Sequence, residues 1–274
     1  MLIRIGYDIA VTVAAPTPMV LMLSTRPELK TRFQQPDTLR VLPDTVATHE
    51  YVDGFGNLCT RLVAPPGSVT FHADAVIEGP DTPDPTAWDA PQHPIEALPH
   101  ETLEFLIASR YCEVDKLSGF AWDTFGTTPP GWGRVQAVCD FAHHHVTFGY
   151  HFADSTKTAV DVLNDGTGVC RDYQHLAVTL CRCLGVPARY ATGYLGDINV
   201  PLSDGPMDFS AWFEVYLGDR WWAFDARYNT PRYGRTLMAV GRDAADVALI
   251  TSFGAHALDR FDVICEKVVD GNQV

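Results

Sequence analysis

The segment Gly166-Thr167-Gly168-Val169-Cys170-Arg171-Asp172-Tyr173 sets a thiol just after two glycines and at the head of an amphipathic stretch. The apolar stripe of that stretch is Tyr173, Ala177, Leu180, Cys181 and Leu184. The glycines predict a turn, so Cys170 is expected in or beside the first turn of a helix. Unpaired backbone N–H groups and the positive end of the helix dipole favour a thiolate there. The same N–H groups stabilise an oxyanion forming on a bound carbonyl. That chemistry is nucleophilic acyl transfer, and it marks Cys170 as the expected most reactive thiol at neutral pH. The competing reading of the residue alone is a small buried hydrophobe, the usual fate of a free cysteine.

Further along, Asp208-Phe209-Ser210-Ala211-Trp212-Phe213-Glu214-Val215-Tyr216-Leu217 and Trp221-Trp222-Ala223-Phe224-Asp225 flank Gly218-Asp219-Arg220. A glycine-containing turn between two aromatic-rich runs predicts a β-hairpin. Ser210 then falls near the start of one strand and Asp225 near the end of its neighbour, with the two expected to face each other. A carboxylate at one position and an imidazole at the other would be the base and orienting group that a thiol nucleophile requires.

Five blocks in order resemble the transglutaminase-like superfamily, in particular a bacterial branch with a β-rich N-terminal region. They are Gly168-Val169-Cys170-Arg171-Asp172, Leu184-Gly185-Val186-Pro187-Ala188-Arg189, Thr192-Gly193-Tyr194, Ala211-Trp212-Phe213-Glu214-Val215 and Trp222-Ala223-Phe224-Asp225. The resemblance covers residues 101 to 255 or so. It implies a papain-like α+β fold, helices packed on an antiparallel sheet, and a thiol enzyme of the cysteine protease, amidase or acyltransferase kind. Position by position, the family's nucleophile falls on Cys170 and its triad carboxylate on Asp225, while Ser210 stands where the family has its histidine.

A serine hydroxyl neither accepts a thiol proton nor returns one to a leaving amine at neutral pH. Another histidine would have to serve, or the site is weak. His175 lies five residues past Cys170, about 140° around a helix, and reads as structural. His143, His144 and His145 are splayed by about 100° each on a predicted helix and do not converge on one metal ion. One of them, or His151 in the following loop, remains open as a base. Trp212, Trp221 and Trp222 are candidate walls of a substrate groove. Arg189 is expected in an internal ion pair. Two functions follow: hydrolysis of peptide or isopeptide amides through a Cys170 acyl-enzyme, or a catalytically degenerate peptide-binding module, which Ser210 favours.

These residues need a scaffold. Residues 3 to 13 alternate, with Ile3, Ile5, Tyr7, Ile9, Val11 and Val13 on one side, and further strands are expected at 20–23, 45–52, 58–63 and 69–77. Prolines crowd residues 80 to 99, a composition that sustains neither helix nor central strand. The predicted division is a β-rich domain at 1–80, a Pro-rich linker at 81–100 and a transglutaminase-like core at 101–274. In the core the period changes from 2 to about 3.6. Helices are expected at 101–108, 115–123, 133–147, 156–164 and 170–184, then strands at 188–194, 211–217, 220–225, 236–240 and 260–268.

The 274 residues are 46% hydrophobic and 20% charged, with a net charge of -14. That charge repels phosphate backbones and anionic lipid, so the expected partner is a peptide or protein substrate, not nucleic acid or a membrane. Seven scattered cysteines without a metal or redox spacing imply free thiols in a reducing, cytoplasmic setting. No cofactor and no metal are expected, and the sequence leaves the oligomeric state open.

Overall fold

The computed structural model describes residues 1–202 and 205–268. The alternating N-terminal run forms β1 (Leu2–Val13), followed by β2 (Thr17–Leu21), β3 (Phe33–Gln35), β4 (Arg40–Leu42), β5 (Thr48–Val52), β6 (Leu58–Ala64) and β7 (Gly67–Glu78). Ile3, Ile5, Ile9 and Val11 are completely buried, as a period-2 apolar face demands once a second sheet covers it. The β5–β6 hairpin turns through Asp53, whose Oδ1 accepts the N–H groups of Phe55 and Asn57.

The second half opens with α1 (Val114–Phe125) and α2 (Trp132–His145), then β8 (Thr147–Phe148), α3 (Ala159–Asp165), β9 (Thr167–Gly168) and α4 (Cys170–Cys183). Strands β10 (Ala188–Tyr194), β11 (Ser210–Leu217), β12 (Arg220–Phe224), β13 (Thr236–Gly241), β14 (Ile250–Ser252) and β15 (His256–Lys267) follow. The core sheet runs β12-β11-β10-β13, antiparallel throughout. Every residue of α4 from Asp172 to Cys183 is buried. It is the central helix, sharing one apolar cluster with Leu117 and Phe125 of α1, Val135 and Val138 of α2, Val162 of α3, and Phe213 and Val215 of the sheet. The α+β architecture expected from the sequence is therefore present.

Two local expectations fail for identifiable reasons. Residues 101–108 do not form an α-helix: His100–Leu106 is a 3-10 turn broken at Phe105. There Thr102 Oγ1 donates back to the Pro99 carbonyl, a local bond that competes with helix formation. The helix expected from 156 begins at Ala159, because Thr158 and Asp161 form a reciprocal capping box.

The domain division departs more deeply. The N-terminal region holds two sheets, ordered β15-β1-β7-β3 with β4 also on β7, and β14-β2-β6-β5. The chain returns after the core sheet and lays β15 along nearly the whole of β1, from Ile3↔Lys267 to Val13↔His256. β14 adds to β2 in the other sheet. Tyr194, Phe209 and Met238 of the core enter the same apolar cluster as Ile5, Leu21 and Phe71. Asn57 is fully buried and exchanges hydrogen bonds with the Val240 backbone of β13. The proline-rich stretch is also a packed strap: the Ala90 and Pro91 carbonyls accept the N–H groups of Trp132 and Gly218. Pairing of β1 with β15 is invisible to local periodicity because it joins the two ends of the sequence.

One consequence is testable. Residues 1–80 expressed alone keep β7 and β6 but lack β15 and β14, the second partners of β1 and β2, which exposes two ladder edges and much of the shared cluster. The fragment is expected to give an unfolded spectrum by circular dichroism and amide exchange, and a cooperative unfolding transition from it would contradict this.

No described helix is long and apolar enough to cross a membrane.

Candidate functional site

The turn before α4 is built by two glycines with different jobs. Gly166 ends α3 in the left-handed conformation, φ 63°. Gly168 lies so close to Asp172 that a Cβ would fall 2.6 Å from the Asp172 Cβ. Asp172 Oδ2 accepts the Val169 N–H at 2.8 Å, which fixes the entry of the chain into the helix. Cys170 is therefore the first residue of α4, as its position after the glycines suggested. Of the seven free cysteines it alone is not buried.

The Gly218-Asp219 hairpin is present: both residues have positive φ, 53° and 66°, and Leu217 pairs with Arg220. β12 ends at Phe224, whose partner is Phe213. Asp225 thus leaves the ladder nearer to Trp212 than to Ser210, and the expected pairing of Ser210 with Asp225 is not formed. Asp225 is 4% exposed. Its Oδ1 accepts the N–H groups of Arg227 and Tyr228 and the Gln174 amide, while its Oδ2 faces Arg235 Nη1 at 3.7 Å. Arg235 also pairs with Asp84 at 2.9 Å and lies over the Trp212 ring. Asp225 lines a small cavity with Asp84, Trp132, Cys139 and Arg235.

Cys170 lines a different cavity, of about 390 Å³, together with Asp208, Ser210, Thr192 and Tyr190. Its far wall is apolar: Phe209, Val247, Leu249, Leu258 and Phe261. The segment leading into β11 forms its mouth. Phe209 packs against Tyr7, Tyr194 and Phe261 in the shared apolar cluster, and its neighbours Asp208 and Ser210 edge the cavity. Leu258 and Phe261 come from β15, so the C-terminal strand completes both the N-terminal sheet and this wall.

Burial pushes the Cys170 thiol up to about 11, with the Arg227 guanidinium acting against it and the Asp208 carboxylate adding to it. The backbone N–H groups of Arg171 and Ala211 also favour the thiolate. The helix start alone thus does not yield the lowered pKa that its position suggested, because desolvation outweighs it. Burial likewise raises the other six thiols, Cys183 and Cys265 to about 12.

Among the described residues, no histidine lines the cavity at Cys170. His175 is completely buried on α4, stacked on Tyr111, and its Nε2 accepts the Ala244 N–H. Burial holds its imidazole well below the usual range and therefore neutral. His143 contacts the Arg227 carbonyl through Nδ1, His144 the Asp140 carbonyl, and His145 the Leu163 carbonyl. His151 packs on Phe152.

The tryptophans expected as groove walls lie elsewhere. Trp212 is completely buried, on the strand face opposite Ala211 and Phe213. Trp222 packs edge-on to Trp132, and Trp221 carries Arg189 over its ring. Arg189 forms its internal ion pair with Glu214 at 2.6 Å. Asp208 and Arg227 are the groups near the thiol that motif reading passed over. The signal for Asp208 was its place two residues before Ser210, in the segment that leads into β11.

A model of the transglutaminase-like superfamily matches residues 120–226. The chain is similar over its whole length to a solved structure from Cytophaga hutchinsonii described as a candidate cysteine protease, with TM-score 0.83, 30% identity and 92% of that chain covered. It is also similar to an uncharacterised protein of Mycobacterium leprae, 32% identical over 117 residues, a match spanning 40% of this chain and 40% of that one. An uncharacterised Mycobacterium tuberculosis protein is 26% identical over 219 residues, 71% of this chain and 68% of the relative. With the motif order, the α+β core and a full-length structural relative in agreement, the chain belongs to the transglutaminase-like superfamily.

Proposed function

We propose that this protein is a thiol acyl-transfer enzyme, a hydrolase of peptide or isopeptide amides that works through a Cys170 acyl-thioester. The observation that carries the reading is the setting of Cys170: the one cysteine that is not buried, at the head of the central helix, opening into a cavity near the backbone N–H groups of Arg171 and Ala211. Those N–H groups are placed to hold the oxyanion of a tetrahedral intermediate. The apolar wall formed by Val247, Leu249, Leu258 and Phe261 suits a hydrophobic acyl group. The net charge of -14 and the free thiols fit a peptide or protein substrate met in a reducing compartment.

The test compares wild type with Cys170→Ala on peptide anilides and activated esters whose acyl groups are apolar, acidic or basic. Wild type is expected to prefer apolar acyl groups, and the alanine variant to lose at least about 10³-fold in rate. Equal rates in the two proteins would refute the proposal.

A second reading, a catalytically degenerate peptide-binding module, is favoured by Ser210 and by the lack of an imidazole on the cavity among the described residues. It predicts that wild type and Cys170→Ala bind apolar peptides equally well, without turnover by either.

A further inference from the structure

The proposed acyl transfer needs two services that one imidazole normally supplies: a positive charge beside the thiolate and a group that carries the proton from sulfur to the leaving atom. The cavity at Cys170 holds no imidazole among its described residues, yet a carboxylate lines it and a guanidinium outside the lining acts on it. Asp208 lines it directly, half-buried, and is held in place because the next residue, Phe209, is clamped by the rings of Tyr7, Tyr194 and Phe261. The Arg227 guanidinium acts on both the Cys170 sulfur and the Asp208 carboxylate. It lies flat over Phe148 at 3.8 Å and near Tyr228 at 4.8 Å, and among the described residues its side chain makes no hydrogen bond or contact ion pair. Its backbone is fixed independently, since the Arg227 N–H binds Asp225 and its carbonyl binds His143.

Resting on the acyl-transfer reading, we propose that Asp208 and Arg227 divide the work of the absent imidazole, with Asp208 carrying the proton and Arg227 supplying the fixed positive charge. The steps balance without a co-reactant other than water. The Asp208 carboxylate takes the proton from the Cys170 thiol while the sulfur bonds to the substrate carbonyl carbon. The resulting oxyanion rests on the Arg171 and Ala211 N–H groups. Collapse breaks the C–N bond as Asp208 returns its proton to the leaving nitrogen. Water then attacks the thioester and gives a proton to Asp208. The C–S bond breaks, and the sulfur regains its proton from Asp208. Burial raises the Asp208 carboxyl above the ordinary range, which suits a group that must hold a proton for part of the cycle. The other titratable groups facing the sulfur are Tyr150, from the turn after β8, and Tyr190 of β10; both phenols are raised by burial and stay neutral. Arg171 is engaged with Asp172 and leaves Arg227 as the uncommitted cation.

Four variants, Asp208→Asn, Asp208→Glu, Arg227→Gln and Arg227→Lys, are compared with wild type in three measurements. The first is the pH dependence of Cys170 alkylation by iodoacetamide, read by peptide mass spectrometry. The second is acylation of Cys170 by a p-nitrophenyl ester, whose leaving group needs no proton. The third is cleavage of the corresponding anilide, whose leaving group does. Asp208→Asn removes a negative charge, so alkylation of the thiolate should quicken severalfold; ester acylation, which loses only the base, should fall modestly, and anilide cleavage, which loses both base and acid, should fall at least about tenfold more. Asp208→Glu should recover part of the anilide rate. Arg227→Gln should slow alkylation severalfold and move its pH profile upward, and Arg227→Lys should restore it. A merely structural Asp208 would lower all three rates together, and that result, or an unchanged anilide rate, overturns the proton-carrying role. An unchanged alkylation profile in Arg227→Gln overturns the charge role. If the ester never acylates Cys170 in wild type, the acyl-transfer reading itself fails. If it does and the variants behave like wild type, only this assignment fails.

Discussion

Ser210→His is expected to make Cys170 a far better nucleophile at neutral pH. Ser210 and Cys170 line the same cavity, so an imidazole at position 210 would meet a sulfur whose thiol is now held up at about 11 by burial. A nearby opposite charge favours the ionised form by about one to three pKa units, so the thiol should fall to between about 10 and 8, the lower figure for direct contact. At pH 7 the lower figure means about a thousandfold more thiolate. The less basic sulfur is then individually a weaker nucleophile, by about thirtyfold, since nucleophilicity falls with about half the change in pKa. The net gain in alkylation or ester acylation is then about threefold for a one-unit shift and about thirtyfold for the full three units, measured as rate against pH in wild type and variant. The same substitution should make anilide cleavage insensitive to Asp208→Asn, because the introduced imidazole would carry the proton. An unchanged alkylation profile would show that position 210 does not reach the sulfur, and would count against the present geometry of the cavity.

The largest expected loss of stability comes from Arg235→Met. Arg235 is 8% exposed, and it faces Asp84 at 2.9 Å and Asp225 at 3.7 Å while lying on the Trp212 ring. Burial works against its charge, but Asp84 and Asp225 together outweigh that penalty and raise its pKa. Methionine would keep the packing on Trp212 and leave the buried Asp225 and the half-buried Asp84 without their shared cation. Removing one partner from such a network costs about 3–5 kcal/mol, far more than loss of an exposed ion pair. Urea denaturation at neutral pH measures it, and a loss under about 1 kcal/mol would mean that Asp225 is balanced elsewhere. Arg235 also explains why Asp225 is not free for the thiol site: its carboxylate is already committed to a guanidinium, to two backbone N–H groups and to Gln174 of α4.

By itself the sequence determined what depends on neighbours along the chain. The period of apolar residues placed β1, α1, α2, α4 and the core strands, because a helix or strand face is repeated every few residues. Gly166 and Gly168 placed Cys170 on the first turn of α4, because a left-handed residue and a close backbone approach both exclude side chains. Gly218-Asp219 fixed the hairpin, since its turn type requires positive φ at both positions. Tertiary structure alone decided the rest. β15 pairs with β1 across almost the entire chain, so no local pattern could reveal that the last strand closes the first sheet and supplies Leu258 and Phe261 to the cavity. The partner of Asp225 turned out to be Arg235, which depends on how β13 and the proline-rich strap meet beside Trp212. The acidity of Cys170 was also a tertiary property. Helix position argued for a lowered pKa, but the raised value follows from how completely the surrounding strands remove water from the sulfur, a quantity that no spacing of residues encodes.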